Sequence, residues 1–157
     1  MNQQYLDHLK ASIENGPIQY ANMAGIQVET VEERHVKATL PVNPVHLNHV
    51  GTVYAGSMFV LAEVLGGSLF LSTYGGEYVP VLKGVEMRYL KPTKKDLVID
   101  LSLTEEEAKA KIEPIAERGR GDYFIDIVVR DVDGVEVYSA KFNYYAFSKE
   151  KMTEFAR

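Results

Sequence analysis

A single carboxylate, Glu63, stands in the middle of an otherwise uncharged run of the chain, from Val50 to Gly76. Removing a carboxylate from water is costly unless the group is paired or used, and burial raises its pKa. A carboxylate with a raised pKa can take a proton from water as a general base, or attack an acyl carbon directly. Glu63 is therefore the first candidate for a catalytic residue. The alternative is a structural ion pair with a base such as Arg88.

Two glycines lie on the same face of the predicted helix as Glu63. Positions seven and eleven residues apart return to nearly the same angle, which places Gly56, Glu63 and Gly67 in one stripe. Their missing side chains would leave room beside the carboxylate for a thin ligand. Gly56 would also lie near the helix N-terminus, where free backbone N–H groups can stabilise an oxyanion. The alternative for these glycines is close packing of the helix on a sheet.

A polar loop with His46, Asn48 and His49 precedes the uncharged run. Asn48 can orient a water or bond a substrate carbonyl, and its alternative is a turn or helix cap. Two histidines without a neighbouring carboxylate or cysteine make a poor metal site, so we expect no metal. Further along, Lys91 and two neighbouring lysines can hold phosphates, or they can simply face solvent.

Composition restricts the class of protein. The length of 157 residues fits one globular domain, residues 1–157, and the net charge of −5 argues against nucleic-acid binding. The chain has no cysteine, which excludes disulfides, thiolate metal sites and cysteine nucleophiles. We see no export signal at the N-terminus and expect a cytoplasmic protein.

The segment Val53–Tyr74 is long enough to span a bilayer. Glu63 would then lie close to the membrane centre, and no basic cluster flanks the segment. We therefore expect no membrane association, and interpret the segment as a helix that the rest of the protein encloses.

Hydrophobic periodicity predicts the other elements. One helix covers residues 4–23 with a break near Gly16-Pro17, and a second covers about 53–74. A third covers about 104–117, because Thr104 followed by three glutamates is typical of a helix N-terminus. Alternating apolar residues predict strands, and the turn Asp133-Gly134 joins the last two. In chain order, the strand positions are 25–31, 34–42, the set Val81, Val85, Met87 and Tyr89, 97–103, the inward set Tyr123, Ile125, Ile127 and Val129, and the inward set Tyr138, Ala140, Phe142 and Tyr144.

These elements predict an α+β protein. Each strand has one apolar face, and the apolar helix needs cover, so a curled antiparallel sheet wrapped around a long central helix satisfies both.

The stretch 48–56, Asn-His-Val-Gly-Thr-Val-Tyr-Ala-Gly, is followed by Leu-Ala-Glu at 61–63 and by Arg-Tyr-Leu-Lys-Pro at 88–92. Over roughly Gly25 to Ser148 this pattern resembles hotdog-fold thioesterases of the phenylacetate type, in particular a less-characterised branch. Tyr54 and Ala55 stand where the family usually has His-Gly. The serine or threonine that is frequent on the following strand is replaced near Leu82 and Lys83.

The resemblance implies an acyl-CoA thioesterase in which coenzyme A is part of the substrate and no separate cofactor is needed. It implies catalytic roles for Glu63, Asn48 and Gly56, and a homodimer or homotetramer with sites at subunit interfaces. Five further residues would contact substrate: Tyr54, Ala55, His49, Gly67 and Lys91.

Two other functions remain open. One is a non-catalytic binder of acyl thioesters. The other is a hotdog hydratase or dehydratase, because His49 lies fourteen residues before Glu63, as the histidine and glutamate do in enzymes of that class.

Overall fold

The computed structural model describes residues 1–155. The helices are α1 (Gln3–Asn15), α2 (Gln19–Ala24), α3 (Ala55–Tyr74), α4 (Glu105–Arg118) and α5 (Lys149–Phe155). The strands are β1 (Gln27–Glu32), β2 (His35–Leu40), β3 (Tyr78–Tyr89), β4 (Leu97–Ser102), β5 (Arg120–Asp131) and β6 (Glu136–Ser148).

The six strands form one antiparallel sheet in the order β1-β2-β4-β5-β6-β3, and the sheet curls around α3. This is the α+β architecture that the sequence predicts. β5 and β6 pair over most of their length, and the turn that joins them contains Gly134 in the left-handed region, at φ 82°. The edges of the sheet are β1 and β3.

The core lies between α3 and the inner face of the curled sheet, to which β1, β2, β4, β5 and β6 all contribute buried residues. Both predicted inward sets on β5 and β6 are buried. Aromatic rings connect the helix to the sheet: the ring of Phe59 stacks on Phe142, and Phe142 stacks on Tyr144. Burial of such large apolar side chains is the main contribution to holding α3 in place.

The sheet does not enclose α3 on every side, which corrects the expectation of a fully wrapped helix. Residues such as Leu65 and Leu69 are buried against the sheet. A second stripe, including Val60, Glu63 and Gly67, is only half-buried and lies along a groove beside α1 and α2. Among the described residues, α3 alone has the length and hydropathy of a membrane-crossing helix, and half of that stretch is buried within the protein.

Three local features refine the predicted elements. The first predicted helix breaks between α1 and α2, as expected. In α4, Thr104 and Glu107 form a reciprocal capping box. A bulge between Leu82 and Gly84 reverses the alternation of β3, so that Val81 is exposed rather than on the inner face with Val85. The short helix α5 had no sequence prediction.

Candidate active site

Glu63 lies on the half-buried stripe of α3 with its carboxylate unpaired. Within residues 1–155 the carboxylate makes no hydrogen bond and no ion pair. Burial raises its pKa above the ordinary value of 4.5. The proposed alternative partner, Arg88, is exposed in a shallow depression that also contains Glu86 and Asp126 but not Glu63. The carboxylate is therefore free to act on a ligand.

Two cavities meet at Glu63. The Tyr54 cavity, about 290 Å³, extends toward the start of α3 and is lined by Tyr20, Tyr54, Gly56, Phe59 and Glu63 among others. The α1 cavity, about 240 Å³, extends the other way beneath α1. Its lining includes Leu9, Ile13, Glu63, Gly67, Leu71 and Tyr144. The carboxylate thus stands where a ligand could occupy both cavities at once.

The first turn of α3 has unused backbone donors. Tyr54, the N-cap residue, provides no side-chain cap, and its own N–H donates to the carbonyl of His46 at 2.8 Å. Within the described chain the N–H groups of Ala55 and Gly56 donate to no other group. Together with the positive end of the helix dipole, these two donors can bind a negatively charged oxygen.

The aromatic ring of Tyr54 lies over Gly56. A Cβ atom at Gly56 would overlap this ring, so the missing side chain accommodates the tyrosine. The expectation of open space for a ligand at Gly56 is therefore wrong for this conformation. Tyr54 is 54% exposed, so rotation of this surface side chain would expose the Gly56 backbone to solvent.

The glycine gap beside Glu63 is at Gly67. A Cβ atom at Gly67 would find its nearest described neighbour, a ring carbon of Tyr144, 4.0 Å away. Gly66 is different, because a Cβ atom there would lie 2.5 Å from the Tyr144 hydroxyl and 2.8 Å from Ile127 Cδ1. The stripe prediction for Gly67 therefore agrees with the structure, and Gly66 serves packing.

The side chain of Asn48 is hydrogen-bonded within its own loop, and its role in positioning a reactant stays a prediction. Its Oδ1 accepts from the N–H groups of Val50 and Thr52 at 3.0 and 3.1 Å. Its Nδ2 donates to Thr52 Oγ1 at 2.9 Å. Asn48 lines neither cavity at Glu63, so here it forms the turn that was its structural alternative.

The other predicted contact residues lie outside the two cavities. His49 and Lys91 are exposed, and Ala55 is half-buried with its carbonyl accepting from the Tyr89 hydroxyl at 3.4 Å. His46 is buried, with Nε2 at 2.8 Å from the Ala24 carbonyl oxygen and Nδ1 accepting from a backbone N–H. No cluster of three metal-ligating side chains occurs within residues 1–155.

Tyr144 is a site residue that the sequence patterns identified only as part of the sheet. Its hydroxyl donates to the backbone carbonyl of Glu63 at 2.8 Å and so fixes the helix at this turn. Burial and the nearby Glu63 carboxylate both raise the pKa of Tyr144, which keeps the phenol neutral. Close packing of the helix on a sheet was the structural alternative for the glycines of this helix, and Tyr144 is the sheet residue that packs against Gly66.

The curled antiparallel sheet around α3 is a hotdog fold, and the structural neighbours of the chain are hotdog-fold proteins of a thioesterase-like branch. The chain belongs to the family described as Domain of unknown function DUF4442, whose model matches residues 16–146. No curated protein matches the chain.

Solved structures of similar proteins share this fold. A protein of unknown function and probable thioesterase from Pseudomonas aeruginosa is 27% identical, with a TM-score of 0.82 over 90% of this chain and 95% of that one. A hypothetical thioesterase from Streptococcus pneumoniae, solved with coenzyme A, is 21% identical with a TM-score of 0.61, covering 78% and 86%. A Streptococcus mutans protein bound to acetyl-CoA is 24% identical with a TM-score of 0.62, covering 79% and 90%.

Proposed function

We propose that this protein hydrolyses the thioester bond of a small acyl-CoA or related acyl thioester. The observation that carries the proposal is the Glu63 carboxylate, which is half-buried, unpaired within the described residues and located where two cavities meet. Its raised pKa makes it a stronger base than a carboxylate in water, and a water molecule is the reactant that it would activate.

The reaction divides into two steps. A water oxygen attacks the thioester carbonyl carbon while Glu63 takes one proton from that water, giving a tetrahedral intermediate. The C–S bond then breaks, the carbonyl re-forms, and the proton held by Glu63 leaves with the thiolate as a free thiol. The products are one carboxylic acid and one thiol, and the glutamate returns to its charged form. Direct attack by Glu63 to form an anhydride is the alternative first step.

The start of α3 would stabilise the oxyanion. Gly56 and Glu63 are seven residues apart, about 10 Å along the helix axis, and a helical side chain leans back toward the N-terminus. Gly56 and Glu63 line the same cavity, so the thioester carbonyl and the attacking water would lie between the backbone donors and the carboxylate. Use of these donors requires the Tyr54 ring to rotate away from Gly56.

The similar structures support the nature of the ligand. Two of the relatives in the comparison were solved with coenzyme A or acetyl-CoA, and a third is described as a probable thioesterase. We propose that coenzyme A reaches this chain as part of the substrate, and that no separate cofactor takes part.

We also propose a cytoplasmic homodimer or homotetramer. The support is the edge strand β3, twelve residues long, whose outer edge has no strand partner within residues 1–155. Light scattering coupled to size-exclusion chromatography tests the assembly, and a monomeric mass at micromolar concentration would contradict it.

The test of hydrolysis is release of free thiol from a panel of acyl-CoA thioesters. We expect Glu63→Gln to lower kcat/KM by about 10²–10⁴-fold, because general-base catalysis contributes this much. Glu113→Gln, an exposed glutamate on α4, is the matched control and should retain activity. If Glu63→Gln folds and retains wild-type turnover, the base assignment is wrong.

A non-catalytic acyl-thioester binder is the second candidate function. The observations that favour it are the Tyr54 ring over Gly56 and the closed hydrogen bonding of Asn48. Binding of acyl-CoA to the wild-type protein without thiol release would select this function. No geometry favours the hydratase or dehydratase, because exposed His49 lies outside both cavities at Glu63.

A further inference from the structure

The α1 cavity offers a ligand almost nothing but hydrocarbon. Three hydroxyl groups line it, and each donates to a backbone carbonyl of its own protein. Ser12 donates to Leu9 at 2.8 Å, Ser68 donates to Val64 at 2.7 Å, and Tyr144 donates to Glu63 at 2.8 Å. Since these donors are already used, the three hydroxyl groups leave no free donor for a phosphate or for the oxygen of an amide.

The charge of the cavity also restricts the ligand. Glu63 is its one charged lining residue among the described residues, and no lysine, arginine or histidine lines it. A ligand group with a negative charge would meet the Glu63 carboxylate without any compensating cation. An anionic group is therefore excluded, and the largely apolar lining favours a hydrocarbon group.

The cavity is too small for a whole substrate. Its volume of about 240 Å³ is below the 300–1,000 Å³ that is typical of pockets for drug-sized ligands. Coenzyme A, with its phosphates and pantetheine amides, must then lie toward the Tyr54 cavity and solvent. The α1 cavity has space for one end of the molecule.

We propose that the α1 cavity binds the hydrocarbon end of an uncharged aliphatic acyl chain, and that α1 limits the length of this chain. This inference rests on the proposed thioesterase function, because it takes the thioester carbonyl to lie at Glu63. The chain passes Gly67, where the missing Cβ leaves the entrance open, and ends against Leu9 and Ile13 of α1.

Binding of S-alkyl-CoA thioethers by calorimetry tests the proposal without requiring catalysis. From ethyl to octyl chains, we expect affinity to rise by up to about four-fold per buried methylene until the cavity is full. Gly67→Leu and Ser12→Leu each place additional side-chain atoms in the cavity, the first from α3 and the second from α1. Both should remove most of the chain-length dependence.

The control is Val132→Leu, an exposed position on the β5–β6 turn, which should keep the wild-type dependence. A carboxyalkyl-CoA thioether should bind at least ten-fold more weakly than the methyl-ended thioether of equal length. Equal affinity for ethyl and octyl thioethers in the wild-type protein overturns the proposal, and this arm decides even if the cavity variants do not fold. An unchanged dependence in both folded variants overturns it as well.

The two proposals fail in different ways. Thioethers have no scissile bond, so chain-length-dependent binding without any thioester hydrolysis would leave the acyl site in place and remove the enzymatic function. Hydrolysis of acyl-CoA thioesters, together with thioether affinities that do not change with chain length, would keep the enzymatic function and remove the acyl site.

Discussion

The two sides of α3 use similar residues for opposite purposes. On the sheet side, Gly66 makes room for the Tyr144 hydroxyl and for Ile127, and Leu65 and Leu69 fill the remaining space. On the groove side, one residue further on, the space at Gly67 stays open beside an unpaired carboxylate. One side of the helix is therefore built for stability, and the other gives up packing to keep a cavity.

The largest contrast is expected from leucine truncation. Leu65→Ala, on the sheet side, should lower the free energy of unfolding by about 2–5 kcal/mol, because it leaves a cavity in the core. Leu71→Ala, at a half-buried position that lines the α1 cavity, should cost less than about half as much, because part of this side chain is already unpacked. Urea denaturation of both variants measures the difference. Equal costs would mean that the groove side is packed like the core.

Insertion of a side chain at Gly66 tests the sheet side directly. Gly66→Val should destabilise the protein by about 1–3 kcal/mol, because the new atoms would clash with Tyr144 and Ile127. The variant should also disturb the hydrogen bond from Tyr144 to the Glu63 carbonyl. If the variant is as stable as the wild type in guanidinium denaturation, Tyr144 and Ile127 can shift to accommodate the new side chain at little cost.

The neighbouring substitution should have the opposite sign. Gly67→Ala should stabilise the protein by up to about 1 kcal/mol, since alanine is the better helix former and the position is open. Its melting temperature by differential scanning calorimetry should rise slightly. A fall in melting temperature would indicate that a methyl group at position 67 does not fit beside Tyr144.

The smallest effect concerns pH. Because burial raises the pKa of Glu63 in the folded protein above 4.5, the native state holds this proton more tightly than the unfolded state. The resulting stability is fully present below pH 4.5 and is lost as the pH rises through the folded pKa. As the pH rises through the folded pKa, the wild type should therefore lose unfolding free energy relative to Glu63→Gln, whose side chain does not ionise. A difference that is independent of pH would contradict the raised pKa.

Much of the fold was predictable because each element has a strong local signal. Alternation fixed β4, β5 and β6, and Thr104 with Glu107 marked the start of α4. Val81 was placed on the wrong face of β3, since a bulge changes the period of two without leaving a mark in residue types. The open side of α3 was also missed, because a uniformly apolar helix has no periodic signal to indicate which face is covered.

The candidate site was predictable only along one helix. Helical spacing placed Glu63 and Gly67 correctly on a common groove. The surroundings of Asn48 and Gly56 depend on side-chain conformations, which sequence spacing does not determine. The Asn48 amide bonds within its own loop, and the Tyr54 ring lies on Gly56. Tyr144 and the wall formed by α1 reach the site through tertiary contacts far apart in the chain.

The strand order has a consequence for synthesis on the ribosome. β6 lies between β5 and β3, so β3 gains its described strand partner only after the chain has been made through about residue 148. The apolar helix α3 ends at Tyr74, and about as many residues again must be translated, through Ser148, before the strands that cover it are complete. During that interval the apolar surface of α3 that β3, β4, β5 and β6 later cover stays exposed, so we expect the helix to complete its packing late in folding.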